Sequence, residues 1–215
     1  MKRCSMGIPD LSCSIANYFG KELELDEDKT DILRYGFEVI IGEGLKVISI
    51  FVMASLLGLT PYVLVVFLTV GAYRLFSGGY HSETYSRCFI FSMFLFLGMG
   101  KITQLLLPYF KLSVAQIITL ICVVFVWSLW IAIKWAPAET PNKPLAEGEK
   151  NRQKKFSVIW VLLWFLVTSF LALAFPLEKT GIIVLGTLLA HTLQSFSVTP
   201  LGFRAMRSLD TPRIK

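Results

Sequence analysis

Six stretches of this chain are too long and too apolar to belong to an ordinary soluble domain. They run roughly Val39–Leu59, Pro61–Leu75, Cys88–Leu107, Val114–Trp135, Phe156–Phe175 and Thr180–Phe196. Each approaches the ~17–25 residues that a tilted helix uses to cross the hydrocarbon of a bilayer. The second and the last are short enough for partial or re-entrant spans. Pro61, Pro108, Pro137 and Pro176 fall at the proposed boundaries, where a missing backbone donor does least harm. With 54% hydrophobic and only 17% charged residues, the chain lacks the polar groups that the outer face of a soluble domain requires. The expected fold is all-α: a polytopic membrane protein with about six transmembrane helices and an amphipathic amino-terminal helix.

The distribution of basic residues orients these spans. If the amino terminus is cytoplasmic, every Lys and Arg outside the spans lies on that side except Lys111 and Lys179. This is a strong positive-inside bias, and it places both termini in the cytoplasm. It also accounts for the net charge of +6 without nucleic acid, for which no aromatic-interleaved basic patch is present. Ahead of the first span, Ile8, Leu11, Ile15, Tyr18 and Phe19 recur at approximate helical spacing. Residues 1–20 therefore read as an amphipathic helix lying on lipid. The acidic run Glu22–Asp28 that follows reads as a solvated linker or as a contact for a basic partner. The stretch from Ala136 to Leu145 has proline spacing that favours an extended start, and a basic segment from Glu147 to Lys155 comes after it.

Cys4, Cys13, Cys88 and Cys122 form no CxxC pair, so neither a disulfide framework nor a zinc ribbon is expected. Met1-Lys2-Arg3 is basic, but no apolar region suited to a cleavable signal peptide follows it. The chemistry concentrates instead in the polar link between the second and third spans, Phe76-Ser77-Gly78-Gly79-Tyr80-His81-Ser82-Glu83-Thr84-Tyr85-Ser86-Arg87-Cys88. Cys and His beside a double glycine form the minimum set for a thiol nucleophile and its base. At neutral pH a free thiol is only a few per cent thiolate. Three features favour the anion: His81 as proton acceptor, the positive potential of Arg74 and Arg87, and the start of the helix that carries Cys88.

Seven residues of continuous helix would separate His81 and Cys88 by about 10 Å along the axis. The pair therefore requires the link to fold back, which Gly78-Gly79 permits. A plain tight turn between spans accounts for the double glycine equally well. Glu83, Glu38, Glu43, Gln104 and Gln194 are candidates to orient the imidazole, and none stands out. Glu43 and Lys46 are spaced to pair on one helix face. His191 reads as a satisfied intramembrane histidine bonded to a backbone carbonyl or to Gln194. The scattered Cys and His residues show no metal-ligand spacing, so no metal or other cofactor is expected. A non-enzymatic transporter or assembly scaffold, using Glu43, Lys46, Lys101 and His191, is the alternative reading.

Arg74 to Cys88, Arg-Leu-Phe-Ser-Gly-Gly-Tyr-His-Ser-Glu-Thr-Tyr-Ser-Arg-Cys, resembles the signature of the accessory gene regulator B family of bacterial quorum-sensing membrane peptidases. The resemblance continues in Arg34-Tyr35-Gly36-Phe37-Glu38 and in the proline-rich stretch Ala136–Leu145 with its basic tail. It implies that Cys88 is the nucleophile and His81 its base, with Arg74, Gly78, Gly79 and Arg87 shaping the link. The implied substrate is a short pro-peptide with an amphipathic amino-terminal helix and an acidic carboxy-terminal tail. Glu38, Glu43, Lys143, Lys154 and Lys155 are candidate contacts for it. Cleavage before the tail would leave a thioester on Cys88, and a Cys or Ser of the peptide would then close a thiolactone or lactone. The resemblance also implies a homodimer in the bacterial cell membrane. On this reading residues 1–36 form a cytoplasmic amphipathic and acidic region, 37–200 the membrane peptidase domain, and 201–215 a basic cytoplasmic tail.

Overall fold

The computed structural model describes residues 7–80, 84–138 and 146–210. Among them the chain forms eight α-helices: α1 (Ile8–Glu22), α2 (Glu27–Leu56), α3 (Thr60–Ser77), α4 (Tyr85–Leu106), α5 (Val114–Trp135), α6 (Glu147–Ala174), α7 (Leu177–Val198) and α8 (Pro200–Asp210). A 3-10 turn at Leu107–Tyr109 follows α4, and no strand is present among the described residues. The six helices from α2 to α7 are long and apolar enough to cross a membrane. The all-α, multi-span expectation holds.

Helix ends differ from the apolar runs for a physical reason. Backbone hydrogen bonding continues past the hydrocarbon wherever residues favour helix, whereas hydropathy marks only the lipid-facing part. Thus α2 begins at Glu27 rather than near Val39, and α6 at Glu147 rather than near Phe156. By contrast, α5 starts at Val114 and ends at Trp135 as expected, because strong signals sit at its boundaries. Ser113 caps it through a reciprocal box, with the Gln116 N–H donating to Ser113 Oγ and the Ser113 N–H to Gln116 Oε1. Neither α3 nor α7 is a broken span: they run uninterrupted for 18 and 22 residues. Pro61 lies in the first turn of α3, Pro108 in the 3-10 turn, and Pro176 at the N-cap of α7.

The chain divides into two compact units, Met1–Val52 and Met53–Lys215. In the first, α1 buries a face of small residues, Ser12, Ala16 and Gly20, while Leu11 and Tyr18 stay exposed. Gly20 lies directly against Thr30 of α2, and the rings of Phe19 and Phe37 stack at 5.8 Å. The acidic run is exposed and largely occupied in ending α1 and starting α2. Asp26 precedes α2, and its carboxylate accepts the Lys29 N–H at 2.8 Å and pairs with the Lys29 ammonium at 3.0 Å. Within α2, Lys46 donates to Glu43 at 2.6 Å, the pairing expected from their spacing.

In the second unit α7 is the central element. Two-thirds of its apolar window is buried, against 11% for α4. Close approaches occur at glycines, as helix packing in lipid favours: Gly186 of α7 abuts Val65 of α3, and Gly100 of α4 abuts Val63. One apolar cluster joins Tyr73, Ile131, Ala132, Val161 and Val198, and a second joins Ile117, Ile121, Trp164, Val184 and Leu188. Large side chains on the outer faces, among them Phe94, Leu166, Phe170 and Leu173, are exposed as lipid contact requires.

The Lys29 amide and ammonium hold the Asp26 carboxyl below its ordinary 3.8. A depressed value means that the charged cap stabilises the start of α2 above pH 3.8 and is lost as pH falls through the folded-state value. The Lys29 amide resonance of the full chain in micelles should therefore titrate with a midpoint below 3.8. Asp26→Ala should abolish that titration and fray the first turn of α2.

Candidate active site

The chain leaves α3 at Ser77 and starts α4 at Tyr85, so His81 and Cys88 do not share a continuous helix. The break between the two helices leaves room for the fold-back that the sequence requires. His81 and Glu83 lie outside the described residues. Cys88 sits in the first turn of α4, half-buried, with its N–H donating to the Thr84 carbonyl at 3.1 Å. A thiolate there would lie at the positive end of the helix. Arg87, beside it, is exposed.

The glycine turn ahead of His81 is tied down from several directions. Gly78 has φ +69° and Gly79 φ +143°, conformations that L side chains rarely adopt. The Gly78 N–H closes α3 by donating to the Arg74 carbonyl at 3.0 Å. The Ser77 carbonyl accepts the Ala138 N–H at 2.8 Å, and Gly78 and Ala138 form an isolated parallel bridge. A Cβ on Gly78 would collide with the Ala138 carbonyl oxygen. The segment after α5 thus lies against the link, and the extended conformation expected for its start is what allows the bridge.

Arg74 reaches forward from α3 and its guanidinium donates to the Tyr80 carbonyl. The same side chain covers Gly79, whose Cβ position would be 3.1 Å from Arg74 Nη1. From α7, the carboxamide of Gln194 donates to the Gly78 carbonyl at 2.9 Å and to Ser77 Oγ at 3.0 Å. Ser197 Oγ donates to Gln194 Oε1 at 3.2 Å. Phe203 of α8 meets the Tyr80 ring edge-on at 5.9 Å. Each such buried hydrogen bond contributes about 1 kcal/mol net, and losing one leaves a costly orphan.

A second buried polar group lies further along α7. His191 is fully buried between the rings of Tyr73 and Trp164, at 4.6 and 4.2 Å. Its Nδ1 is 3.0 Å from Ser128 Oγ, to which Ser195 also donates at 2.8 Å. The partner of His191 is therefore Ser128 of α5 rather than a backbone carbonyl or Gln194. Gln194 is committed to the glycine turn, and the stacked rings hold the imidazole toward α5.

The remaining candidates lie elsewhere. Glu38 is 3.9 Å from Arg34 on α2, Glu43 pairs with Lys46, and Lys101 donates to Gln104 at 2.7 Å. Lys154 and Lys155 line an open cleft of about 560 Å³ on α6 with Asn151, Val158 and Ile159. Lys143 lies outside the described residues. Among the described residues no three His, Cys, Asp or Glu side chains converge on a metal position. The tethers at Ala138, Ser197 and Phe203 escape sequence reasoning, because each meets the link from a distant part of the chain. Gln194 carries a visible signal, a carboxamide in an apolar run, but the run does not identify what it holds.

The family model for accessory gene regulator B matches residues 12–198, spanning the link and all of α7. The chain belongs to the accessory gene regulator B family. It is 27% identical to an AgrB-like protein of Clostridium perfringens strain SM101, over 95% of this chain and 97% of the relative. It is 28% identical to accessory gene regulator protein B of Staphylococcus intermedius, over 79% of this chain and 81% of the relative. For the protein of that name from Staphylococcus aureus strain MRSA252, the figures are 26%, 72% and 79%. No solved structure matches the chain.

Gly78→Ala should destabilise the second unit by about 1–3 kcal/mol from the positive φ alone, and further through the Ala138 collision. Gly71→Ala, at a helical glycine of α3 with open space around it, should be neutral or slightly stabilising. Thermal unfolding in detergent compares the two.

Proposed function

We propose that this chain is a membrane cysteine endopeptidase that releases the carboxy-terminal tail of a quorum-sensing pro-peptide, with Cys88 as nucleophile and His81 as base. The observation that carries this reading is the break between α3 and α4. A turn held at Gly78 and Gly79 leads directly into His81, and Cys88 occupies the first turn of the next helix. A continuous helix would have kept the two side chains apart. Membership in the accessory gene regulator B family supports the same assignment.

In the proposed reaction the Cys88 thiol proton passes to the His81 imidazole, and the sulfur attacks the carbonyl carbon of the scissile peptide bond. The carbon–nitrogen bond breaks as the imidazolium gives its proton to the departing amine of the tail. The peptide remains as a thioester on Cys88. A Cys or Ser side chain of the peptide then gives its proton to His81 and attacks the thioester carbonyl. The carbon–sulfur bond breaks, a thiolactone or lactone closes, and the proton returns to Cys88. No water enters the sum, so exclusion of water preserves the acyl bond for ring closure.

Positive-inside charge supports a cytoplasmic position for the link and both termini. The two lysines of the Lys154–Lys155 cleft, with Val158 and Ile159 beside them, suit an acidic, amphipathic peptide tail. The homodimer implied by the resemblance is part of the same reading. Glu43, Lys46, Lys101, Gln104, His191 and Ser128 engage one another locally, which gives the transporter alternative no specific support.

Cys88→Ala and His81→Ala should each abolish tail release from a co-expressed pro-peptide while the protein still accumulates in membranes. Mass spectrometry of the peptide reads the outcome, and normal processing by Cys88→Ala would overturn the assignment. Reversing Lys154 and Lys155 to Glu should raise KM roughly tenfold or more with kcat little changed. A pro-peptide whose tail acids are replaced by Lys should recover part of that loss.

A further inference from the structure

Gln194 is 2% exposed, on the most deeply buried helix of the second unit. A carboxamide there must place two N–H donors and an oxygen acceptor within the protein. It places the donors on the link, at the Gly78 carbonyl and Ser77 Oγ, and the oxygen toward Ser197 Oγ. The orientation of the amide follows from its partners, because the Gly78 carbonyl has no proton and requires the NH2 group. Two neighbouring backbone groups have different partners. The Gly78 N–H goes to Arg74, and the Ser77 carbonyl accepts from Ala138.

The Gly78–Gly79 peptide is where the direction of the chain into His81 is set. Both residues have positive φ, and glycine itself resists rotation about these bonds only weakly. The carbonyl of Gly78 therefore keeps its direction through what it binds. His81 follows three residues later, and a misdirected peptide plane would displace the imidazole by ångströms. Displacement on that scale costs a general base on the order of 10²-fold in rate.

We infer that Gln194 is a positioning residue of the candidate active-site link, a hydrogen-bond clamp on Ser77–Gly78 that fixes the backbone leading into His81. This rests on the proposed roles of His81 and Cys88. Gln194 touches neither substrate nor thiol; it acts through the backbone that carries the base.

The test uses the full chain in nanodiscs with Gln194→Met, close in shape but without a donor, and Gln194→Asn as a gentler change that retains the amide. Tail release and the pH profile of Cys88 alkylation by iodoacetamide, read at the Cys88 peptide by mass spectrometry, are compared with His81→Ala and Cys88→Ala. Gln194→Met should lower kcat on the order of 10²-fold with KM nearly unchanged. Its alkylation profile should move to that of His81→Ala, and the Gln194→Met/His81→Ala double variant should react no more slowly than His81→Ala alone. Wild-type kcat in Gln194→Met, or losses that add to those of His81→Ala, would overturn the inference. If Gln194→Met does not accumulate, Gln194→Asn decides: a partial shift of the alkylation profile supports the clamp, and an unshifted profile removes it. Inactive Cys88→Ala and His81→Ala beside a fully active Gln194 variant would remove the clamp alone. Processing by Cys88→Ala would remove the proposed function, and the clamp with it.

Discussion

Inside hydrocarbon no water is available to a polar group, so one left without a partner in the protein is costly. That constraint governs α7. Its carboxy-terminal half carries His191, Gln194, Ser195 and Ser197, a set that lipid cannot satisfy. The helix is accordingly buried among its neighbours, and its polar face meets Ser128 of α5 and the Ser77–Gly78 corner of α3. Outer helices such as α4 present Phe and Leu outward, and polar side chains of α4 find partners within that helix, as Lys101 does with Gln104.

The same constraint explains the build of the glycine link. Where α3 ends, its last carbonyls and the irregular peptides beyond would be orphaned in an apolar setting. They are taken up by the Ala138 N–H, the Gln194 carboxamide and the Arg74 guanidinium. Satisfying these groups also fixes their directions. A segment that requires partners for its own stability thereby becomes a rigid lead-in to His81. Stability and positioning follow from the same hydrogen bonds, which is why Gly78, Arg74 and Gln194 belong to one arrangement although they lie on three different parts of the chain.

Membership in the accessory gene regulator B family and the proposed thiol chemistry fit this arrangement. Cyclisation by acyl transfer requires a thioester that survives until a side chain of the peptide reaches it. A half-buried cysteine at the start of a helix, reached through a firmly held turn, meets that need better than an exposed thiol on a flexible loop. On the proposed reading, Lys154 and Lys155 on α6 would offer a separate contact for the part of the substrate that departs.

Much of the architecture was determined by the sequence alone. Apolar run length specifies helices that cross a membrane, because no other open structure satisfies its backbone there. Local signals specify ends, as Ser113 and Gln116 do for α5. The link was legible as a candidate site because its glycines, His81 and Cys88 are neighbours in the chain. The helix starts at Glu27 and Glu147 were not legible, since hydropathy does not report helix outside the hydrocarbon. The partners of His191 and Gln194 were decided only by the tertiary structure. A polar residue in an apolar run announces that it needs a partner, but the choice depends on which helix packs against it and at what height. Those are properties of side-chain packing between segments more than 60 and more than 110 residues apart, which no local pattern encodes.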